Sequence, residues 1–261
     1  MDLGIKNRVA LVMSAGGGLG SAIALALARE GARVAVSDQN SKALEDTVSR
    51  IRATGAIAHG FHADLADLES ISAMVADVRS TIGDADILIN NSGGPPPSLA
   101  AGVPPGQWRN QFDAMVVSLM HLTDLLLPAM KQKGWGRIIT STSSGVVAPI
   151  PNLGMSNALR LALVGWSKTL ANEVAADGIC VNVVLPGRIA TDRIRSLDEA
   201  RASREGKTYE EVVAASTASI PVRRYGKPEE YADTVAFLAS ERAAFITGSV
   251  VRVDGGMIPS I

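Results

Sequence analysis

Apolar residues are gathered into seven short runs, at 9–13, 34–36, 57–61, 86–90, 136–141, 179–185 and 250–253, with longer stretches of helical spacing between them. The runs are mostly apolar rather than alternating, the pattern of strands covered on both faces. Helices are expected at 21–30, at 40–54 with Asn40 as cap and Gly55 closing it, and from the Asp67 cap to about Gly83. A long helix at 107–131, interrupted at Pro128, and another at 153–176, with Gly178 near its end, continue the rhythm. Pro228 is placed to open a helix through Ser240, since proline at a first helical position loses no intrahelical bond. Strand and helix alternate along the chain, which predicts an α/β fold: a Rossmann-type doubly wound seven-stranded parallel sheet with helices on both faces. One domain, residues 1–261, is expected. Within it, residues 191–220 are rich in arginine, glutamate and serine and read as one or two amphipathic helices forming a mobile substrate-side flap over the strand ends.

Between the first run and the first helix lie Ser14, Ala15, Gly16, Gly17, Gly18, Leu19 and Gly20. Glycines there let the main chain approach a pyrophosphate closely, and the free N–H groups and dipole of the helix end stabilise its charge. The second strand then delivers Asp38, about twenty residues on, the spacing at which a carboxylate accepts hydrogen bonds from an adenosine ribose. A flexible surface turn would supply glycines, but not this order of strand, glycines, helix, strand and acid. The order points to a bound dinucleotide. Asp38 would repel the 2'-phosphate of NADP, and neither Ser37 nor Gln39 offers a cation to receive it, so NAD is expected over NADP. A second loop, residues 91–105, gathers Gly93, Gly94, Pro95, Pro96 and Pro97 at the end of the fourth strand, where open α/β sheets bind ligands.

Composition narrows the partners. Lysine plus arginine (25) nearly balance aspartate plus glutamate (26), so no long-range field favours nucleic acid or a charged membrane. No apolar stretch reads as long enough to span a bilayer, and the start carries Asp2, Lys6 and Arg8 instead of a signal-peptide pattern, so a cytoplasmic protein is expected. The lone Cys180, among Ile179, Val181 and Val183, reads as a buried inert thiol. No metal site is read from the sequence.

Taken jointly, the seven strands, the glycine turn, Asn90 and Asn91 after strand four, Ser143 after strand five and Pro186-Gly187 after strand six resemble the short-chain dehydrogenase/reductase family over about residues 5–257, and within it 3-ketoacyl reductase-like proteins. The resemblance implies NAD(P)-dependent hydride transfer between nicotinamide and a carbonyl or alcohol. It implies that Asp64 and Leu65 contact adenine, although Asp64 also reads as a local turn former. It further implies that Asn91, Ser92 and Gly93 continue the nucleotide site and that Pro186, Gly187, Ile189 and Thr191 form the nicotinamide-side loop. Asp254 and Gly256 resemble the usual C-terminal signature. In relatives the helices matching 107–131 and 153–176 pair across a two-fold axis, so a homotetramer or homodimer is implied, with Ala158, Ala162, Gly165 and Trp166 on the second helix.

Two departures from the family pattern matter. Met13 and Ser14 stand where the turn usually begins with Thr-Gly, and a serine serves there only if its backbone stays out of glycine-only conformations. Counting from Ser143, the family's tyrosine position falls on Ser156, its lysine on Arg160 and its asparagine on Met115, so the usual catalytic tetrad is not intact. The candidate catalytic set is Ser143, Ser156 and Arg160, the last two one helical turn apart and facing the same way. A serine hydroxyl is shorter and far less acidic than a phenol, and arginine stays protonated. A positioned general acid is worth about 10²–10⁴ in rate, so another proton source is required, such as water or an easily ionised substrate. His121 and Tyr209 are candidates, His121 reading better as a packing residue and Tyr209 lying in the flap. The main reading is therefore a short-chain oxidoreductase with an atypical site acting on a small-molecule substrate, which Arg188, Arg193 and Arg195 could attract through an acid group. Two alternatives stay open. One is a catalytically silent NAD(H)-binding protein or sensor. The other is a non-redox enzyme similar to halohydrin dehalogenases, which have arginine in place of lysine but keep the tyrosine and have lost the glycine turn.

Overall fold

A computed structural model describes all 261 residues. Its strands are β1 (Val9–Val12), β2 (Arg33–Asp38), β3 (Ala58–His62), β4 (Ile87–Asn90), β5 (Gly136–Ser141), β6 (Ile179–Pro186) and β7 (Val250–Val253). They pair in parallel in the order β3-β2-β1-β4-β5-β6-β7. The order reverses direction between β1 and β4, so the connections leaving these strands turn to opposite sides and open a crevice at their carboxyl ends. Helices α1 (Gly18–Arg29), α2 (Ser41–Arg52), α3 (Leu68–Ile82), α4 (Pro105–Phe112), α5 (Ser118–Lys133), α6 (Gly154–Val174), α7 (Asp192–Glu205), α8 (Tyr209–Ala218) and α9 (Pro228–Leu238) complete the chain.

The central strands are apolar because both faces are covered. Ala10, Val12, Val34 and Val36 point into one core with residues of α1 and α9, while Val9, Leu11, Leu88 and Ile138 point into another with residues of α3, α5 and α6. Asn40 and Asp67 cap α2 and α3 as the sequence suggests, each side chain accepting from main-chain N–H groups of the first turn.

Two elements depart from expectation. The third strand lies one residue further along, because Ala58 pairs with Val34 and leaves Ile57 outside and exposed. The long helix begins at Pro105 and runs unbroken through Pro128. Asp124 and Pro128 both lie on its exposed side, where water can satisfy the carbonyl that proline leaves without an N–H. Its irregularity is instead a single π-helical stretch, Asp113–Val117, which turns Met115 and Val116 into a small core with Leu119, Met155 and Leu159. The rod Pro105–Lys133 also has, contrary to the sequence reading, the length and mean hydropathy (1.3) that a bilayer crossing requires, but it packs on α3, β5 and α6.

The end of β6 lies against the C-terminal segment with no space for a side chain. A Cβ on Gly187 would fall 2.6 Å from Asp254 Cα, and the Asp254 carboxylate accepts from the N–H groups of Gly256 and Ile258. Gly187→Ala is expected to cost about 1–3 kcal/mol through overpacking, measured as a fall of several degrees in Tm by thermal unfolding.

Candidate functional site

The turn after β1 is braced from three sides. Asn91 Nδ2, at the end of β4, donates to Met13 O at 3.2 Å and to Ser14 O at 3.1 Å. A Cβ on Gly20 would lie 2.4 Å from Ser14 O, so α1 packs directly on the carbonyl that Asn91 holds. Gly16 N donates to Asp38 Oδ2 at 2.8 Å, and Asn40 N to Asp38 Oδ1 at 2.9 Å. Under these restraints Ser14 takes φ +46°, in the left-handed region that favours glycine. That conformation costs an ordinary residue about 1–2 kcal/mol, and the Asn91 and Gly20 contacts offset it.

Beyond the bracing, the turn is open. Nothing lies within 4 Å of a Cβ built on Gly17, and on Gly18, at φ +54°, such an atom would meet only the Thr191 side chain, at 3.8 Å. Helix α1 has no side-chain cap and no acidic residue in its first turn. Its leading N–H groups therefore face the space between Gly18 and Thr191.

That space is one end of a cleft of about 870 Å³ along the carboxyl ends of the strands. Its walls bring together Ser14, Gly17, Gly18 and Leu19 from the first turn, Asn91, Ser92 and Gly93 after β4, Ser143, Ser156 and Arg160, and Pro186, Gly187, Ile189 and Thr191 after β6. Gly16, Gly20 and Asp38 are not on this lining and shape the turn through the contacts above. Asp64 and Leu65 do not line it. The Asp64 carboxylate closes its own turn by accepting from Ala66 N at 2.9 Å, and Leu65 packs against apolar residues.

Ser143 Oγ accepts from Gly145 N at 3.1 Å, which leaves its hydroxyl hydrogen to donate elsewhere. Ser156 and Arg160 both lie on the inward face of α6, 7% and 8% exposed. Arg160 bridges two strand ends: Nη2 donates to Ser92 O at 3.3 Å and Gly93 O at 3.1 Å, and Nη1 to Ser141 O at 3.4 Å. No carboxylate pairs with it. Burial, reinforced by the charge of Arg193, brings its pKa down to about 10, so it remains a cation at neutral pH. Beside it the hydroxyls of Ser92 and Thr142 are buried on the same lining without partners. An uncapped helix end and the open space over Gly17 fit a large polar ligand such as a dinucleotide.

None of the three tyrosines lines the cleft. Tyr209 opens α8 half-buried and away from it. Tyr231 is fully buried on α9, its hydroxyl 2.8 Å from Ser141 Oγ, and burial pushes its phenol far above the ordinary value. Tyr225 donates to Asp198 Oδ2 at 2.7 Å, and burial raises its pKa too. His121 lies against α3, with Nε2 2.9 Å from Ser72 Oγ, in the packing role.

Sequence reasoning missed a clasp at the cleft's mouth. Asp198, fully buried in α7, takes the Arg188 guanidinium and the Tyr225 hydroxyl, and Arg188 also stacks over the Tyr225 ring. Nothing in the polar sequence of α7 marked that aspartate as inward-facing. Of the three arginines expected to attract an acid, Arg188 is thus already paired and Arg195 lies off the lining. Of these three, only Arg193 lines the cleft without a carboxylate partner.

A doubly wound parallel sheet with a glycine turn and a ligand cleft at its switch point defines a dinucleotide-binding protein. Comparison with known families makes this specific. Residues 14–258 match the family model described as enoyl-(acyl carrier protein) reductase, and the chain belongs to the short-chain dehydrogenase/reductase family of NAD(P)-dependent oxidoreductases. It is 36% identical over 260 residues to the 3-oxoacyl-[acyl-carrier-protein] reductase FabG of Escherichia coli, covering 98% of this chain and 99% of that one. It is 34% identical over 254 residues to nodulation protein G of Azospirillum brasilense, covering 97% and 99%. Among solved structures, L-sorbose reductase from Gluconobacter frateurii complexed with NADPH and L-sorbose superposes with a TM-score of 0.94 at 32% identity, over the full length of both chains. YwfH, an NADPH-dependent reductase involved in bacilysin biosynthesis, gives 0.93 at 30% identity, covering 98% of this chain and all of that one.

Asn91→Ala is expected to leave two carbonyls of the turn without their donor. The cost is about 1–3 kcal/mol, seen as a lower Tm together with weaker binding of nicotinamide dinucleotide in a calorimetric titration.

Proposed function

We propose that this chain is an oxidoreductase that moves a hydride between NAD(H) and a carbonyl or alcohol substrate, with Ser143, Ser156 and Arg160 in place of the family's usual serine, tyrosine and lysine. The observation that carries the reading is that the braced glycine turn and these three side chains open onto one cleft. The amides of the first turn and of α1 hold the diphosphate, Asp38 the adenosine ribose, and the loop from Pro186 to Thr191 the nicotinamide side. The nicotinamide, when bound, supplies or accepts the hydride. Arg160 stays charged and holds the second ribose or the oxygen on which negative charge develops, and Ser143 donates to the substrate oxygen. With no phenol on the lining, the proton comes from water or from the substrate's own hydroxyl.

NAD is preferred over NADP in this reading, although the solved relatives above are described with NADPH. Its support is that the Asp38 carboxylate, at the end of β2, accepts from Gly16 N and Asn40 N and no cation pairs with it. A silent NAD(H)-binding protein is the second reading, favoured by the bonding of Arg160 to main-chain oxygens and the lack of a tyrosine on the lining. We also propose a cytoplasmic homotetramer or homodimer, supported by the exposed Phe112, Leu161 and Phe245 and by the small residues Ala158, Ala162 and Gly165 exposed on α6.

Calorimetric titration with NADH and NADPH, followed by a turnover screen over aldehydes, ketones and alcohols, tests the proposal. NADH is expected to bind about 10-fold or more tighter than NADPH, with Asp38→Ala narrowing the ratio. Binding with no turnover on any substrate would establish the silent reading. The pH profile gives a further test. A guanidinium with a pKa of about 10 stays largely protonated below pH 9, so kcat/KM should show no loss from this group between pH 6 and 9. Arg160→Lys places there an amine whose ordinary pKa is about 10.4 and which the same burial lowers, so activity should fall as pH rises within that range.

A further inference from the structure

Two guanidinium groups in the cleft lack a carboxylate, and they converge. Arg160 Nη2 and Arg193 Nη2 reach the same point above Gly94, where a Cβ would lie 3.6 Å from the first and 2.8 Å from the second. Arg160 arrives from α6, and Arg193 from the first turn of α7, its Nη2 donating to Pro95 O at 3.1 Å. The other cleft arginines are paired: Arg188 with Asp198, Arg201 and Arg204 with Glu205. Asp192, also on the lining, makes an ion pair with neither member of the converging pair.

Like charges facing each other in a partly desolvated cleft repel, and the influence of Arg193 on the Arg160 pKa is a sign of that repulsion. An anion seated between them turns the repulsion into attraction: Arg160, whose Nη2 hydrogens are both taken by Ser92 O and Gly93 O, contributes charge, and Arg193, bonded only to Pro95 O, contributes the donors.

We infer that the substrate is an oxo or hydroxy acid whose carboxylate is held between Arg160 and Arg193 at the Gly94 rim, with its carbonyl or carbinol carbon towards Ser143. This rests on the oxidoreductase reading and names its substrate class. A diphosphate offers similar anionic oxygens, so the test separates the two sources. Protein saturated with NAD⁺, which cannot reduce an oxo compound, is titrated calorimetrically with pyruvate, acetoacetate and levulinate, each beside its methyl ester. At least one acid is expected to bind about 10-fold or more tighter than its ester, as a charge-assisted bidentate contact allows. Arg193→Gln should abolish that preference, Arg193→Lys should recover part of it, and NAD⁺ affinity should change less than twofold in both. NAD⁺ binding in the wild type without preference for any acid would overturn the inference alone. Weaker NAD⁺ binding in Arg193→Gln with the acid-to-ester ratio unmoved would assign the pair to the diphosphate and also overturn it. A wild type that binds no NAD⁺ would overturn the functional reading and this inference with it.

Discussion

A parallel sheet leaves main-chain groups without ladder partners where its strands end, and buried carbonyls there must find donors or forfeit much of their hydration. In this chain two side chains supply the donors. Asn91 reaches from the end of β4 to the carbonyls of Met13 and Ser14 after β1, and Arg160 reaches from α6 to those of Ser92 and Gly93 after β4 and Ser141 at the end of β5. Three consecutive strand ends, β1, β4 and β5, are thereby fastened to one another by side-chain donors. The walls of the cleft inherit their spacing from those bonds. So does the left-handed backbone of Ser14, which persists because its carbonyl is held by Asn91 and covered by Gly20.

Arginine at position 160 has a price that lysine would not escape and a reach that lysine lacks. Burying either cation is unfavourable unless its hydrogens are satisfied. The planar guanidinium addresses three carbonyls on two strands at once, whereas an ammonium group, a compact donor on a flexible stem, would have to choose among them. Burial and the charge of Arg193 lower its pKa only to about 10, so the cation survives at neutral pH. Under the proposed function the cleft therefore keeps a fixed positive charge at all working pH values but holds no group that can gain and lose a proton near neutrality. Tyr231 does not fill that gap, because full burial stabilises its protonated phenol and its hydroxyl is already spent on Ser141 and Val184.

Much of this architecture was legible from the chain. Apolar runs mark the strands, so 136–141 coincides with the buried β5 and 250–253 with the half-exposed edge strand β7 to the residue, and Asn40 and Asp67 announce α2 and α3 by the chemistry of capping. The order of glycines and Asp38 likewise located the crevice. What escaped depends on three-dimensional register. The π-helical stretch at Asp113–Val117 inserts a residue into the hydrogen-bond ladder with no composition of its own, whereas Pro128, a conspicuous signal, proved harmless on an exposed face. Arg188, Arg193 and Arg195 look equivalent in sequence. Only the rotation of α7, which buries Asp198 against Arg188 and carries Arg193 over Gly94, distinguishes them. For Asp64, the local turn that the sequence suggested is present, its carboxylate accepting from Ala66 N.

The two sides of the cleft are also held by different forces. The nucleotide side rests on α1, where Ile23, Ala24 and Leu27 are fully buried against the sheet, so moving it would expose a large part of the core. Helices α7 and α8 on the other side bury only Asp198, Ala202, Val212 and Ser216. Their attachment leans on the polar clasp of Arg188, Asp198 and Tyr225, whose members regain hydration when they separate. Opening that side costs less than disturbing the first, since few apolar groups are uncovered and the lost hydrogen bonds are exchanged for bonds to water. Under the proposed function the glycine turn keeps its shape when the side bearing Arg193 opens, because the contacts that fix the turn, at Asn91, Gly20 and Asp38, all lie on the side with the larger apolar core.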